Sequence, residues 1–344
     1  MKSLVIVAAL TLIGACAEKR HSEKLADLQN SVHFENENKI NHFANTITAP
    51  ELEGLVRNLS SDTLQGRKTG EFGHNMASKF LKDYYIQQGI PSPIGNDSYY
   101  QLIPKSYFSK NISSSQNVWA YIKGAEFPDE LLIISAHSDH IGVVDGVVNP
   151  GADDNGSGTS AILEIAQAFK MAEKEGFAPK RSILFLHFTG EEEGLYGSRY
   201  YIEHPIFSLQ NTIANLNIDM IGRIDKLHID QPNYIYLIGS DRISTELHYI
   251  SERANKQFTQ LQLDYKYNAE NDSNRYYYRS DHYNFAQMGI PVIFYFNGEH
   301  EDYHLPTDTA DKLDYPLLEK RTKLIFTTAW HIANSNKRLN PEKV

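Results

Sequence analysis

Six short apolar runs constrain this chain most: residues 118–122, 131–136, 183–188, 213–218, 234–238 and 292–296. They are too short and too rich in β-branched and aromatic residues for long helices, and they lack the polar alternation of a half-exposed strand. Helical stretches fall between several of them. Buried strands separated by helices predict a single α/β domain with a central, mostly parallel (mixed) sheet and helices on both faces. In such folds ligands gather beyond the C-terminal ends of the strands. Several of these runs lead, there, into His, Asp or Glu: 131–136 into His137, 183–188 into three glutamates at 191–193, and 213–218 into Asp219.

Charge and cysteine content narrow the chemistry. Against 33 Lys and Arg stand 43 Asp and Glu, with no basic cluster able to track a phosphate backbone, so nucleic acid is not an expected partner. The one cysteine, Cys16, rules out an intramolecular disulfide and thiolate ligation of zinc or iron–sulfur clusters. Any metal must be held by His and carboxylates.

Cys16 follows Lys2 and an apolar run over 4–13, which reads as a signal peptide too short to cross a bilayer. Residues 12–16 (LIGAC) resemble a bacterial lipobox, which implies export, cleavage before Cys16, lipidation there and attachment to a membrane of the cell envelope, on its periplasmic or its outer side. Ala15-Cys16-Ala17 also matches an ordinary cleavage site that would discard the cysteine. The chain then divides into a signal peptide over 1–16, a polar tether over 17–45 holding at most a short helix, and one domain over 46–338. Within the domain, 50–89 predicts two helices, with Leu52, Leu55, Val56 and Leu59 and then Ala77, Phe80, Leu81 and Tyr84 at helical spacing, ending at Gly89.

Five motifs carry residues suited to a borderline-hard divalent cation: AHSDH (136–140), GADDNGSG (151–158), GEEEGLYGS (190–198), NIDMIGR (217–223) and YHLPTDTAD (303–311). Each alone has a plain structural reading. A His after a strand is usually a packed polar residue, Asp153 and Asp154 could cap the helix that Ile162, Ile165, Ala166 and Phe169 predict, and His304 could be a loop residue beside Pro306. Asp139, two residues after His137, is placed to orient an imidazole. Three adjacent glutamates delivered by an apolar strand need a neutralising partner, which a metal would supply.

Taken in this order, the motifs resemble the M28 family of zinc-dependent exopeptidases, over about residues 52–330. The resemblance implies two Zn2+ ions per chain, with Asp154 bridging them, His137 and Asp219 on one, and Glu192 and His304 on the other. It implies a cis peptide after Asp154, Glu191 as general base, Asp139 behind His137, and Tyr303 as donor to the developing oxyanion. Glu193 would be exposed, His140 would have a structural or rim position without a ligand role, and Asp281 in SDHYNF would shape the substrate pocket. The implied reaction is removal of N-terminal residues from peptides with a free amino terminus.

A carboxypeptidase on the same fold is the alternative, with Arg223, Arg275 or Arg279 receiving the substrate carboxylate. Glutaminyl cyclases of this fold carry Trp where Tyr303 stands, and non-catalytic members should have lost ligands that are all present here. Residues 107–131 leave no room for the protease-associated insert of many relatives. Residues 264–283 show no periodic pattern, and the oligomeric state is not legible.

Overall fold

In the computed structural model, which describes residues 21–95, 98–109 and 111–344, the strands are β1 (Tyr100–Ile103), β2 (Ser115–Ile122), β3 (Phe127–His137), β4 (Gly142–Val144), β5 (Val147–Asn149), β6 (Arg181–Phe188), β7 (Thr212–Ile218), β8 (Tyr234–Ile238), β9 (Gln262–Asp264) and β10 (Val292–Phe296). The signal-peptide and lipobox reading, Cys16 included, lies outside the described residues. Strands β4 and β5 form a separate hairpin, and the other eight make one mixed sheet in the order β1-β2-β6-β3-β7-β10-β8-β9. Its centre, β6-β3-β7-β10, is parallel throughout. Toward the edges β2 pairs antiparallel with β6, and β8 antiparallel with β10.

The unalternated runs are explained by burial on both sides. Along β3, Leu132, Ile134 and Ala136 belong to one core and Leu131 and Ile133 to the other. Helices α1 (Glu37–Ala44), α2 (Ala49–Leu59), α3 (Phe72–Gln88), α4 (Gly158–Lys174), α6 (Thr245–Ala254) and α8 (Tyr315–Asn334) supply the first core, and α5 (Tyr196–Glu203) and α7 (His282–Gln287) cover the second. Gly89, at φ 73°, ends α3 in the left-handed conformation that glycine adopts without a Cβ penalty. Thr48 caps α2 through the Glu51 amide, and Ile162, Ile165, Ala166 and Phe169 of α4 are buried.

One expectation needs correction. The polar tether over 17–45 is not free along its length: residues 21–31 are helical, and Val32, Phe34, Ile40 and Phe43 are buried, Phe43 stacked on Trp330 at 5.5 Å. The packed unit therefore begins before residue 46. Four apolar side chains spaced through a polar segment leave its composition hydrophilic while still supplying anchors. The unpatterned stretch over 264–283 forms two 3-10 turns, Lys266–Asn268 and Tyr276–Tyr278. Ring contacts order it, with Tyr267 at 4.5 Å from Tyr236 and Tyr276 at 5.0 Å from Phe296, and such contacts leave no period in a sequence.

Candidate metal centre

The C-terminal ends of the four parallel strands deliver the site. His137 is the last residue of β3, Asp219 follows β7 directly, Glu191 and Glu192 follow β6, and His304 lies on the loop after β10. Asp154 sits in the irregular turn before α4, and its peptide bond to Asn155 is cis, as the resemblance implies. All five ligand candidates meet. His137 Nε2 lies 3.3 Å from Asp154 Oδ1 and 3.2 Å from Asp219 Oδ1. His304 Nε2 lies 3.0 Å from Asp154 Oδ2 and 3.1 Å from Glu192 Oε2. Asp154 is thus central, with one oxygen toward each histidine. Zinc bonds of 2.0–2.2 Å in a tetrahedron would set ligand atoms about 3.3–3.6 Å apart, close to these separations, so both clusters are near the size that a cation needs.

The surrounding structure holds these groups in place. Asp219 Oδ2 accepts from Ser280 Oγ at 2.7 Å, and Ser280 Oγ in turn accepts from Asn217 on β7. Asp139 differs from expectation. The Nδ1 of His137 is 3.1 Å from the main-chain carbonyl of Asp139, whereas the Asp139 carboxylate is 3.8 Å away. That carboxylate instead accepts from Thr69 Oγ1 at 2.7 Å and from the Glu191 amide at 3.2 Å, so it ties the β3 and β6 ends together. Thr69 belongs to the segment between α2 and α3, as does Arg67, whose buried guanidinium donates to the carbonyls of Leu59, Ser138, Pro150 and Gly151. A single cation therefore ties the loop after His137 to the loop before Asp154.

Charge crowding sets the protonation of the metal-free site. Desolvation, reinforced by Glu192, Asp219 and Asp281 and only partly offset by His137, pushes the Glu191 carboxyl well above the carboxylate range. Burial and Asp154 would raise Glu192 as well, but hydrogen bonds from His140 and His304 hold it below its ordinary value. Asp154 is held well below its own despite burial, by His137 and His304. Burial would lower both histidines, yet Asp219 and Glu191 raise His137 well above the imidazole range, and Asp154 and Glu192 raise His304 to about 10.

A cleft opens over this cluster, with Met220, Tyr276, Phe294 and Phe296 as apolar walls and Arg279, Glu299 and Tyr303 beside them. Tyr303 stacks on His304 at 3.8 Å. Desolvation and the carboxylates Asp154, Glu192 and Glu191 push its hydroxyl well above the usual range, so it remains a donor. Of the three arginines considered for a carboxylate pocket, only Arg279 lines the cleft, and there it pairs with Glu299 at 3.0 Å. Arg223 is buried against Asp302 at 2.9 Å, and Arg275 lies over the Tyr278 ring. Asp281 does not line the cleft; it is buried, and its neighbour Ser280 takes the wall position.

Of the two positions that the sequence left open for His140, structural or rim, the structure shows the buried one, with Nδ1 2.9 Å from Glu192 Oε1. Its adjacency to Asp139 was the available signal. Arg67, Thr69 and Glu299 carry no local pattern that marks them as site residues, since each acts across the fold.

A profile of Peptidase family M28 matches residues 117–329. A probable leucine aminopeptidase of Arthroderma otae is 31% identical over 215 residues, covering 60% of this chain and 56% of that protein. Another, from Trichophyton verrucosum, is 27% identical over 297 residues, covering 82% and 76%. This chain thus spans little more than half the length of the Arthroderma protein. Among solved structures, LapB of Legionella pneumophila superposes with a TM-score of 0.70 at 22% identity, covering 91% of this chain and 81% of LapB. The glutaminyl cyclase of Porphyromonas gingivalis superposes at 0.66 with 17% identity, covering 82% and 97%, which shows the fold that the two share. With the profile matched over more than half of its length and across all five clustered ligand motifs, in a mixed sheet that presents them at its strand ends, the chain belongs to Peptidase family M28.

Proposed function

We propose that this protein is a two-zinc aminopeptidase that hydrolyses the first peptide bond of peptides with a free amino terminus. The observation that carries the reading is Asp154, whose two oxygens face two separate histidines, each completed by a further carboxylate, Asp219 on one side and Glu192 on the other. The two imidazoles and three carboxylates of these contacts are a donor set suited to zinc. Zinc bound there would supply Lewis-acid polarisation of the scissile carbonyl and water acidic enough to react near neutral pH.

The chain's own residues then divide the remaining work. Glu191, which lines the cleft beside Glu192, takes a proton from the attacking water and returns it to the amine as the C–N bond breaks. Tyr303 donates to the carbonyl oxygen as negative charge gathers on it. Met220, Phe294 and Phe296 receive the first side chain of the substrate, and the surplus of carboxylates around the cleft, with Arg279 engaged by Glu299, favours an ammonium over a carboxylate in the substrate. The lipobox-like segment supports export and attachment to a membrane of the cell envelope through Cys16.

The test is a panel of aminoacyl-nitroanilides and short peptides, each with a free and an acetylated amino terminus, assayed after zinc reconstitution. Cleavage confined to free amino termini is the expected result. Cleavage of blocked peptides from the C-terminal end would make the enzyme a carboxypeptidase, and cyclisation of N-terminal glutamine without hydrolysis would make it a cyclase.

A further inference from the structure

We propose that His140 is a fourth protein donor at the second metal position, so that the two positions are unequal: His137, Asp154 and Asp219 form a three-donor position, and His140, Asp154, Glu192 and His304 a four-donor one. The inference rests on the two-metal reading above.

The geometry singles out His140. Its amide donates to the Arg67 carbonyl at 3.2 Å, which fixes the chain three residues beyond β3. Its ring is buried over Gly151, where any Cβ would come within 2.5 Å of the imidazole carbons, so position 151 leaves room for this ring only as glycine. Nδ1 points at Glu192 Oε1, 2.9 Å away, and lies 3.7 Å from Asp154 Oδ2. His304 reaches the other oxygen of Glu192 and the same Asp154 oxygen from its own loop.

One donor atom each from His140, Asp154 and Glu192 falls within a mutual 4.8 Å, as do those of His137, Asp154 and Asp219. Two bonds of about 2.1 Å to one cation span at most about 4.2 Å, and the 2.9 and 3.7 Å from His140 Nδ1 to Glu192 and Asp154, like the 3.3 and 3.2 Å from His137 Nε2 to Asp154 and Asp219, lie within that reach. The remaining ring nitrogen of His140, Nε2, is buried without a hydrogen-bond partner, so no hydrogen bond on that side sets the ring's orientation.

The consequence is a division of labour. Catalytic positions keep an open coordination site and structural ones are closed. The first position, with three protein donors, is left open for water and substrate, and the second is nearly saturated by protein and holds its ion more firmly.

The zinc-loaded protein is titrated with dipicolinate and its retained zinc measured by elemental analysis after gel filtration. Wild type should lose zinc in two separate steps of one equivalent each. His140→Asn keeps an N–H able to reach Glu192 but supplies no imidazole, so the later step should move to chelator concentrations at least about 100-fold lower, beyond the ~10–100-fold typical of losing a mere hydrogen-bond partner of a ligand. Cobalt-loaded His140→Asn should also lose or shift part of the visible absorption of the wild-type cobalt protein.

A wild-type-like two-step curve and spectrum in His140→Asn would leave His140 as a positioning residue for Glu192 and overturn the proposal. Zinc X-ray absorption on wild type is independent of how the variant folds. It should count three imidazoles shared by two ions, and a count of two overturns the proposal equally. Failure of the two-metal reading is distinguishable, because wild type itself would then retain one equivalent or none.

Discussion

Glu191 and Glu192 are neighbours in the chain and opposites in chemistry. The same side chain is driven up at 191, where desolvation and like charges dominate, and down at 192, where two imidazoles donate to it. Their glutamine variants should separate accordingly. Glu191→Gln should keep close to two zinc ions by elemental analysis and lose about 10²- to 10⁴-fold in kcat, the usual worth of general acid–base catalysis. Glu192→Gln should lose metal first and regain part of its activity in excess zinc. The reverse pattern of zinc retention would exchange the two roles. Protonation of the histidines makes a second prediction at this scale. Carboxylate neighbours raise His304 to about 10 and shift His137 in the same direction, so zinc binding to the metal-free site should displace protons. Calorimetric titrations in two buffers of different ionisation enthalpy should report net proton release, and a buffer-independent heat would contradict it.

Helix α4 lies against the sheet and brings Glu164 into the interior with it. The Oε2 of Glu164 is buried without a hydrogen-bond partner. Desolvation first, then Glu51 of α2, raise its carboxyl to about 8, against which hydrogen bonding around Thr48 and Tyr84 works only in part. The sign follows from linkage. Below pH 4.5, the ordinary value, the group is protonated in folded and unfolded chains alike and has no net effect. Between pH 4.5 and about 8 the folded protein keeps a proton that the unfolded chain has lost, so stability falls as pH rises, and above that the full cost, on the order of a few kcal/mol, is present. Glu164→Gln should therefore match wild type in Tm near pH 4 and exceed it at pH 8 to 9, in melts followed by circular dichroism. Equal Tm differences at both pH values would rule this out. The helix itself was legible from Ile162, Ile165, Ala166 and Phe169. The polar side chain within its buried face was not, because its surroundings come from α2 and α3, more than seventy residues away in sequence.

At the scale of the molecule, legibility follows the range of the forces involved. The parallel centre could be read because a strand buried on both faces must be apolar along its length, and the ligand candidates because they stand at the ends of such strands. Tyr267 and Tyr276 could not be placed, since ring packing follows no period, and Arg67 could not, since its four carbonyl partners come from segments apart in the chain. Attachment of the whole protein to a membrane remains a proposal resting on residues 12–16. Wild type should take up radiolabelled palmitate and partition into detergent, and Cys16→Ala should do neither. An unlabelled wild type whose mature N-terminus lies beyond Cys16 would refute it.

Arg321 of α8 donates to the carbonyls of Ile221, Arg223 and Tyr234, and so secures the turn that follows Asp219 from the far end of the chain. His304 also arrives late, after every other donor. Chains emerge from the ribosome N-terminus first, so a nascent polypeptide lacking its final helix already contains His137, Asp154 and Glu192 yet lacks the support that sets Asp219. Ordering of the turn after Asp219 thus waits on α8, whose Arg321 supplies that support.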